Sequence, residues 1–311
     1  MGRPLRHLPE RAGRGHPAGA VGPLAEAAPG LAIGGPHLSY DTIEVAPVTP
    51  NIGAEVGGVD LSKPSNRQFE EIHSALLEYQ VLFFRDQPLD LESHMAFGRH
   101  FGELHVHPGA PGVPGHPEVM PVRTDAKSTY IAGESWHSDV SCDPEPPMGS
   151  ILHMREVPPV GGDTLFASMY VAYERLSPRM KAYLEGLTAT HDGEGYYRGR
   201  YADKGADDRG KVYPRAVHPI VRTHPETGRK ALYVNRMFTT RINDVAREEG
   251  EAILTYLVAH CAKPDFQMRF RWRDNSVAFW DNRCVQHLAL WDYYPQTRSG
   301  FRVTIKGDKP F

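Results

Sequence analysis

Val277-Ala-Phe-Trp-Asp-Asn-Arg-Cys-Val-Gln-His287 begins as an apolar run and ends on a histidine close to the C-terminus. Four apolar residues followed by charged and polar ones read as a short buried strand leaving the core. From about residue 118 onward, similar short segments dominate: Trp136 to Val140, Ser150 to Met154, Val217 to Arg222, Ala231 to Val234, Phe266 to Trp272 and Arg302 to Lys306. Together they predict an all-β core. Thr223-His-Pro-Glu-Thr-Gly228 has the proline and glycine of a turn joining two of these strands into a hairpin. One strong helix interrupts the pattern, with Ile253, Leu254, Leu257, Val258 and Cys261 as its apolar stripe and Asn243 or Asp244 as its N-cap.

Nearer the N-terminus, helix and strand alternate. Ile43, Val45 and Val48 suggest a strand, Ile52 to Leu61 a turn-rich strand pair, and Val81-Leu-Phe-Phe84 a buried strand. Phe69, Ile72, Leu76 and Leu77 recur at helical spacing, and a second helix runs from Asp90, its cap, to Phe101.

In Trp136-His137-Ser138-Asp139 two potential metal ligands stand two residues apart, which on a strand puts them on one face, about 6 to 7 Å apart along the chain. A third ligand must come from elsewhere, and His287 offers it. Two imidazoles and one carboxylate leave three positions open, which suits an Fe(II) that binds a chelating cosubstrate and O₂. Zinc favours a closed or nearly closed tetrahedron. Isolated His-x-Asp pairs arise by chance among 16 histidines. This one is accompanied by Gly161-Gly-Asp-Thr164 and by Arg298 and Arg302. On one strand those arginines, four residues apart, would face the same side. Two guanidiniums in one cavity require anions, and arginine binds carboxylates bidentately; the bland alternative is a pair of surface arginines.

These blocks resemble the taurine dioxygenase and dichlorophenoxyacetate dioxygenase family over nearly everything from Tyr40 to Phe311. The likeness rests on Trp136-His-Ser-Asp139, Gly161-Gly-Asp-Thr164-Leu, Arg222-Thr-His-Pro, Tyr233-Val-Asn235, Phe238-Thr-Thr-Arg241-Ile, Trp280-Asp-Asn-Arg283, Gln286-His287 and Gly307-Asp-Lys-Pro-Phe311, all in the same order. The resemblance implies a mainly β fold with flanking helices, a double-stranded β-helix or jelly roll, with His137, Asp139 and His287 holding Fe(II). It implies that 2-oxoglutarate is the cosubstrate, its distal carboxylate on Arg298 and Thr164, and that Arg302 lies between its other carboxylate and the substrate anion. The implied reaction uses O₂ to hydroxylate an unactivated C–H bond and releases CO₂ and succinate, with the protein mainly positioning the reactants.

The substrate pocket departs from that of taurine dioxygenase. His107 matches a histidine that binds the sulfonate there, but Ala110 replaces a tyrosine, Gly133 an asparagine, and Tyr196-Tyr197 a Ser-Phe pair; Phe238 is retained. Losing polar contacts and gaining room argues against taurine's amine and for a larger sulfonate, sulfate ester or carboxylate resting on Tyr196, Tyr197 or Phe238. Each of these aromatics could equally be a core residue. His105, His153, His191, His218 and His224 read as structural or surface histidines, and Asn235 as a structural residue holding the neighbouring loop. Two other classes remain: a catalytically silent jelly-roll binding protein, and a zinc-dependent hydrolase or isomerase on a related barrel, which has no need of a carboxylate-binding arginine.

Composition sets the outer bounds. The 311 residues suit one catalytic domain, residues 39 to 311, behind a Gly/Pro/Ala/Arg-rich tail, residues 1 to 38, expected to be disordered. Pro and Gly interrupt any signal-like apolar run in that tail, whereas an organellar transit peptide or an over-extended start stays open. With 40% apolar residues, 23% charged and a net charge of -3, nothing points to nucleic acid or an acidic membrane. No run nears the roughly 18 apolar residues a transmembrane helix needs. Three cysteines without a CxxC pair suit a reducing cytoplasm, with Cys142 read as a small buried thiol. The expected partners are a small anionic organic substrate and O₂, and relatives of this kind assemble as homodimers or homotetramers.

Overall fold

The structure, a computed structural model, describes residues 39–311; the expected disordered tail lies outside the described residues. The long sheet of the barrel pairs Glu44–Pro47, Ala54–Gly57, Val81–Phe84, Ser276–Asp281, Gly149–Glu156, Arg298–Ile305 and Val119–Thr124 in that spatial order, all neighbours antiparallel except the second and third. Facing it is a short sheet of Gln267–Phe270, Thr164–Ser168 and Val285–Ala289. A second three-stranded sheet joins Thr239–Ile242, Thr188–Asp192 and Arg215–Pro219, and Val221–Thr223 pairs with Lys230–Leu232 as the expected hairpin. The result is a double-stranded β-helix with flanking helices.

The apolar runs are explained by burial on both faces. Val81, Phe83, Leu152, Met154, Ala278 and Trp280 point into the barrel, where Phe83 stacks on Phe270 at 3.9 Å between ring centroids and meets Phe166 edge-on at 5.5 Å. Their alternates Leu82, Phe84, Ile151, Val277 and Phe279 pack outward against helices Asn66–Tyr79 and Leu91–Arg99 through Ile72, Leu76, Met95 and Phe97. A strand covered on both sides has no polar alternation, so Val81 to Phe84 reads as a continuous block. Each such ring contributes about 1.5–3 kcal/mol by leaving water. Ser65 caps the first helix in a capping box with Gln68, and Asp90 caps the second as expected.

Three expectations are corrected. Trp136 to Val140 is not a strand: only His137 forms a β-bridge, and Val140 adopts a positive φ of 49°. Side-chain anchors replace the ladder there, Ser138 Oγ donating to Val285 O (2.8 Å) and Asn282 Oδ1 accepting the Asp139 N–H (3.1 Å). The stretch from Val217 to Arg222 is two strands broken at Ile220. The helix Arg247–Cys261 is capped at Ala246, whose N–H reaches Glu249 Oε2, rather than at Asn243 or Asp244, because Asn243 is already bonded to Thr188 and Thr190 across the neighbouring sheet.

Candidate active site

His287 sits mid-strand in Val285–Ala289 and exchanges both main-chain hydrogen bonds with His137 (3.2 and 2.8 Å), so the backbone itself sets the two imidazoles side by side. The chain then turns, and Asp139 comes round to them. Asp139 Oδ1 lies 3.7 Å from His137 Nε2 and 4.0 Å from His287 Nε2, all three residues being buried. Two atoms each bound at roughly 2.1 Å to one ion can be at most about 4.2 Å apart, so this spread fits a single metal. His137 Nδ1 donates to Ser135 O at 2.8 Å, which leaves Nε2 as the lone-pair nitrogen a ligand needs. Burial, then the neighbouring His137, pushes His287 well below the usual imidazole range and keeps it neutral. Burial alone would raise the Asp139 carboxyl, but Arg302 and the two imidazoles hold it well below its ordinary value, hence ionised. A neutral His287 and an ionised Asp139 are in the protonation states metal binding requires.

Arg298 and Arg302 share the strand Arg298–Ile305, both buried, and line one cavity with His137, His287 and Thr164. Arg302 Nη1 contacts Asp139 Oδ1, and its Nε has no partner. Arg298 Nε donates to Gly162 O (3.0 Å), its guanidinium lies 5.4 Å from the Trp272 ring, and its buried Nη2 has no partner. Burial depresses its pKa. A charged donor left over in an interior is a place for an anion. The Gly161-Gly162 pair is required by space: both have φ above +70°, and a Cβ on Gly162 would stand 3.2 Å from Arg298 Cδ, one on Gly161 2.7 Å from Asp292 Oδ1.

Trp272 went unrecognised in the sequence, where it closes one of many apolar runs. Its Nε1 donates to Thr164 Oγ1 at 2.9 Å, which leaves the threonine proton free for a further acceptor, such as a carboxylate bound at Arg298 would offer. Trp272→Phe keeps the ring under Arg298 and removes only that donor. The expected cost is about 1 kcal/mol, seen as a roughly fivefold higher KM for 2-oxoglutarate; an unchanged KM would remove Trp272 from this role.

Beside His137, Tyr196, Tyr197 and Phe238 form an aromatic cluster, with ring centroids 5.5–5.7 Å apart, Phe238 6.5 Å from the His137 ring, and His107 5.3 Å from Tyr197. Asn235 fixes Phe238 by accepting its N–H (2.9 Å) while donating to Ser141 (2.8 Å), the structural role expected of it. Part of the room expected at Gly133 and Ala110 is taken up: Tyr196 Oη receives the Gly133 N–H at 3.3 Å, and Tyr197 packs in one cluster with Ala110. Aromatic side chains thus occupy part of the space that the small residues at 110 and 133 were expected to leave. Cys142 is a buried thiol in that cluster, pushed up to about 12 by burial, and unreactive as a nucleophile.

A second group, His224, Asp281 and Cys284, also converges. Here Arg283 grips Asp281 with Nε (2.9 Å) and Nη2 (2.7 Å), and His224 Nε2 donates to the same carboxylate (3.0 Å) because its Nδ1 accepts two main-chain N–H groups. A guanidinium already neutralises that carboxylate, so the cluster is structural. His153, His191 and His218 are buried in the framework as well.

The family model described as taurine catabolism dioxygenase TauD, TfdA family matches residues 44–304. A crystal structure of a taurine dioxygenase from Burkholderia xenovorans superposes with a TM-score of 0.75 at 39% identity, covering 87% of this chain and 91% of that one. An alpha-ketoglutarate-dependent sulfonate dioxygenase of Saccharomyces cerevisiae is 34% identical over 86% of this chain and 68% of its own length. An alpha-ketoglutarate-dependent sulfate ester dioxygenase of Pseudomonas putida is 34% identical over 86% of this chain and 91% of its own. Among the described residues no helix is long and apolar enough to cross a membrane.

Proposed function

Since this chain belongs to the TauD, TfdA family and is an Fe(II)- and 2-oxoglutarate-dependent dioxygenase, we propose that its substrate is a small organosulfur anion, a sulfonate or sulfate ester with an apolar body, received by His107 and Arg302. His137, Asp139 and His287 would hold the iron, and Thr164 and Arg298 the distal carboxylate of 2-oxoglutarate. The bound iron and cosubstrate supply the oxidising chemistry, in which O₂ is consumed, 2-oxoglutarate is converted to succinate and CO₂, and one oxygen atom enters a substrate C–H bond. The protein's part is orientation and exclusion of water.

The observation that carries this reading is the state of His107. Its Nδ1 accepts the N–H groups of Gly109 (3.0 Å) and Ala110 (2.8 Å), and burial, reinforced by Arg302, keeps the ring neutral. The proton of a neutral ring with Nδ1 so occupied sits on Nε2. A fixed N–H donor beside a guanidinium is suited to the oxygens of an anion, and a tetrahedral sulfur group offers three. Tyr197 meets the His107 ring edge-on at 5.3 Å, and it clusters with Tyr196 and Phe238, a surface that carries no carboxylate of its own to meet an ammonium group. Taurine would leave its charged amine against aromatic carbon, whereas an alkyl or aryl tail buries apolar area there.

Against a catalytically silent binding protein stands the single-ion spacing of the triad; against a zinc hydrolase stands Arg298, whose unpartnered guanidinium such chemistry would not use. A cytoplasmic location agrees with three buried free thiols. Succinate release with Fe(II), measured over C2 to C8 alkyl sulfates and sulfonates, arylsulfonates, phenoxy acids and taurine, tests the substrate class. Medium-chain organosulfur anions are expected to exceed taurine in kcat/KM by about 10- to 100-fold, the discrimination of one to two unpaired polar contacts. Taurine as the best substrate, with hydroxylated product confirmed by mass, would defeat the proposal.

A further inference from the structure

Only one oxygen of Asp139 faces the two histidines. Oδ1 is the atom near both imidazoles; Oδ2 accepts from Ser150 Oγ at 2.7 Å. Ser150 Oγ in turn receives the Asn282 Nδ2–H at 3.0 Å, and Asn282 Oδ1 accepts both the Asp139 N–H (3.1 Å) and Trp280 Nε1–H (2.9 Å). All four residues are buried. The direction of every bond is fixed. The indole can only donate, so it assigns Asn282 Oδ1 as acceptor and Nδ2 as donor; Ser150 must take that donor with a lone pair, and its single proton is left for Asp139. The strands supply the geometry: Ser150 on Gly149–Glu156 pairs directly with Trp280 on Ser276–Asp281, and Asn282 follows one residue beyond that strand's end.

We propose that Ser150 and Asn282 are positioning residues that hold Asp139 as a one-oxygen metal ligand. A carboxylate with both oxygens free can close on a metal through both. Three protein atoms and two from a chelating 2-oxo acid leave one of six positions, and a second Asp139 oxygen would fill it. The Ser150 hydrogen bond occupies that oxygen and compensates the buried charge. This inference rests on the triad being the metal site, as proposed above.

The test is anaerobic titration of the metal-free enzyme with Co(II), followed by visible absorption. Ser150→Ala is expected to raise the Co(II) dissociation constant by about 10- to 100-fold and to alter the band shape, whereas Ser150→Thr, which keeps the hydroxyl, stays within about threefold of the parent. Ser150→Ala binding within about threefold of the parent, with an unchanged spectrum, would overturn the proposal, since a serine that merely knits two strands would not touch the spectrum. Should the alanine variant fail to fold, the crystal structure of the parent with Mn(II) decides independently: coordination by Oδ1 alone with Ser150 on Oδ2 is expected, and coordination through both oxygens overturns it. A different failure marks the metal site itself: parent and His137→Ala would then titrate alike.

Discussion

Arg298→Met should melt at a higher temperature than the parent in the absence of 2-oxoglutarate, and should lose nearly all stabilisation by it. The two halves have opposite sign because one guanidinium serves two states. In the metal- and cosubstrate-free protein Arg298 is buried with one main-chain acceptor, an aromatic neighbour and an orphaned Nη2, and burial already depresses its pKa. Replacing a whole buried ion pair with apolar residues of similar volume is often neutral or gains about 1–4 kcal/mol, and Arg298, which has no bonded carboxylate to leave behind, should gain on the same ground. Removing the same charge from opposite a bound carboxylate costs about 2–5 kcal/mol, or roughly 30- to 4,000-fold in 2-oxoglutarate KM. Thermal melts with and without 2-oxoglutarate, together with KM, check both. A variant that is destabilised yet keeps its KM would make Arg298 a framework residue and remove it from the cosubstrate site.

Acid sensitivity is the second large effect. His94, His153 and His191 are buried in the framework, and burial holds them at about 3, about 4 and about 3. In the unfolded chain they titrate near 6.5. Between pH 6.5 and 4 the unfolded state therefore binds protons that the folded state does not, and stability falls as the pH falls. Each histidine contributes about 1.4 kcal/mol per pH unit, the three together about 4 at the steepest, against a typical total of about 5–15 kcal/mol. Below about 4 the contribution of His153 saturates, because it then protonates in the native state too. The depressed carboxylates Asp139 and Asp281 act only below the unfolded carboxylate range, near 4, so they cannot account for loss at pH 5. Urea midpoints of the metal-free protein should be flat from pH 8 to 7 and drop sharply from 6 to 5; a midpoint unchanged from 7 to 5 would mean these imidazoles are solvated.

Much of this was legible in the sequence, for identifiable reasons. Val81 to Phe84 and Val277 to Trp280 announce buried strands because both faces of the long sheet are covered, and the Asp90 cap follows from local chemistry alone. That His137, Asp139 and His287 would converge beside Arg298 and Arg302 was readable because metal and carboxylate chemistry restricts residue types severely. The Trp136 to Val140 strand failed because tertiary anchors, Ser138 to Val285 and Asp139 to Asn282, decide that backbone, and no periodicity encodes them. The roles proposed for Trp272, Ser150 and Asn282 were invisible for the same reason: Trp272 and Asn282 reach Thr164 and Asp139 across more than a hundred positions, and Ser150, though only 11 residues from Asp139, is tied to Asn282 across 132. Asn282 was in plain view within Trp280-Asp-Asn-Arg283, yet only its partners give it a task.

The main-chain bridge between His137 and His287 also bears on how the enzyme comes into being. Its two halves lie almost half of these 311 residues apart, one in a loop and the other in the strand Val285–Ala289. Loop-closure entropy makes such a contact slow to nucleate. The pairing of the two imidazoles is therefore expected late in folding, with barrel closure, so that a cavity is in place by the time the candidate ligand atoms meet.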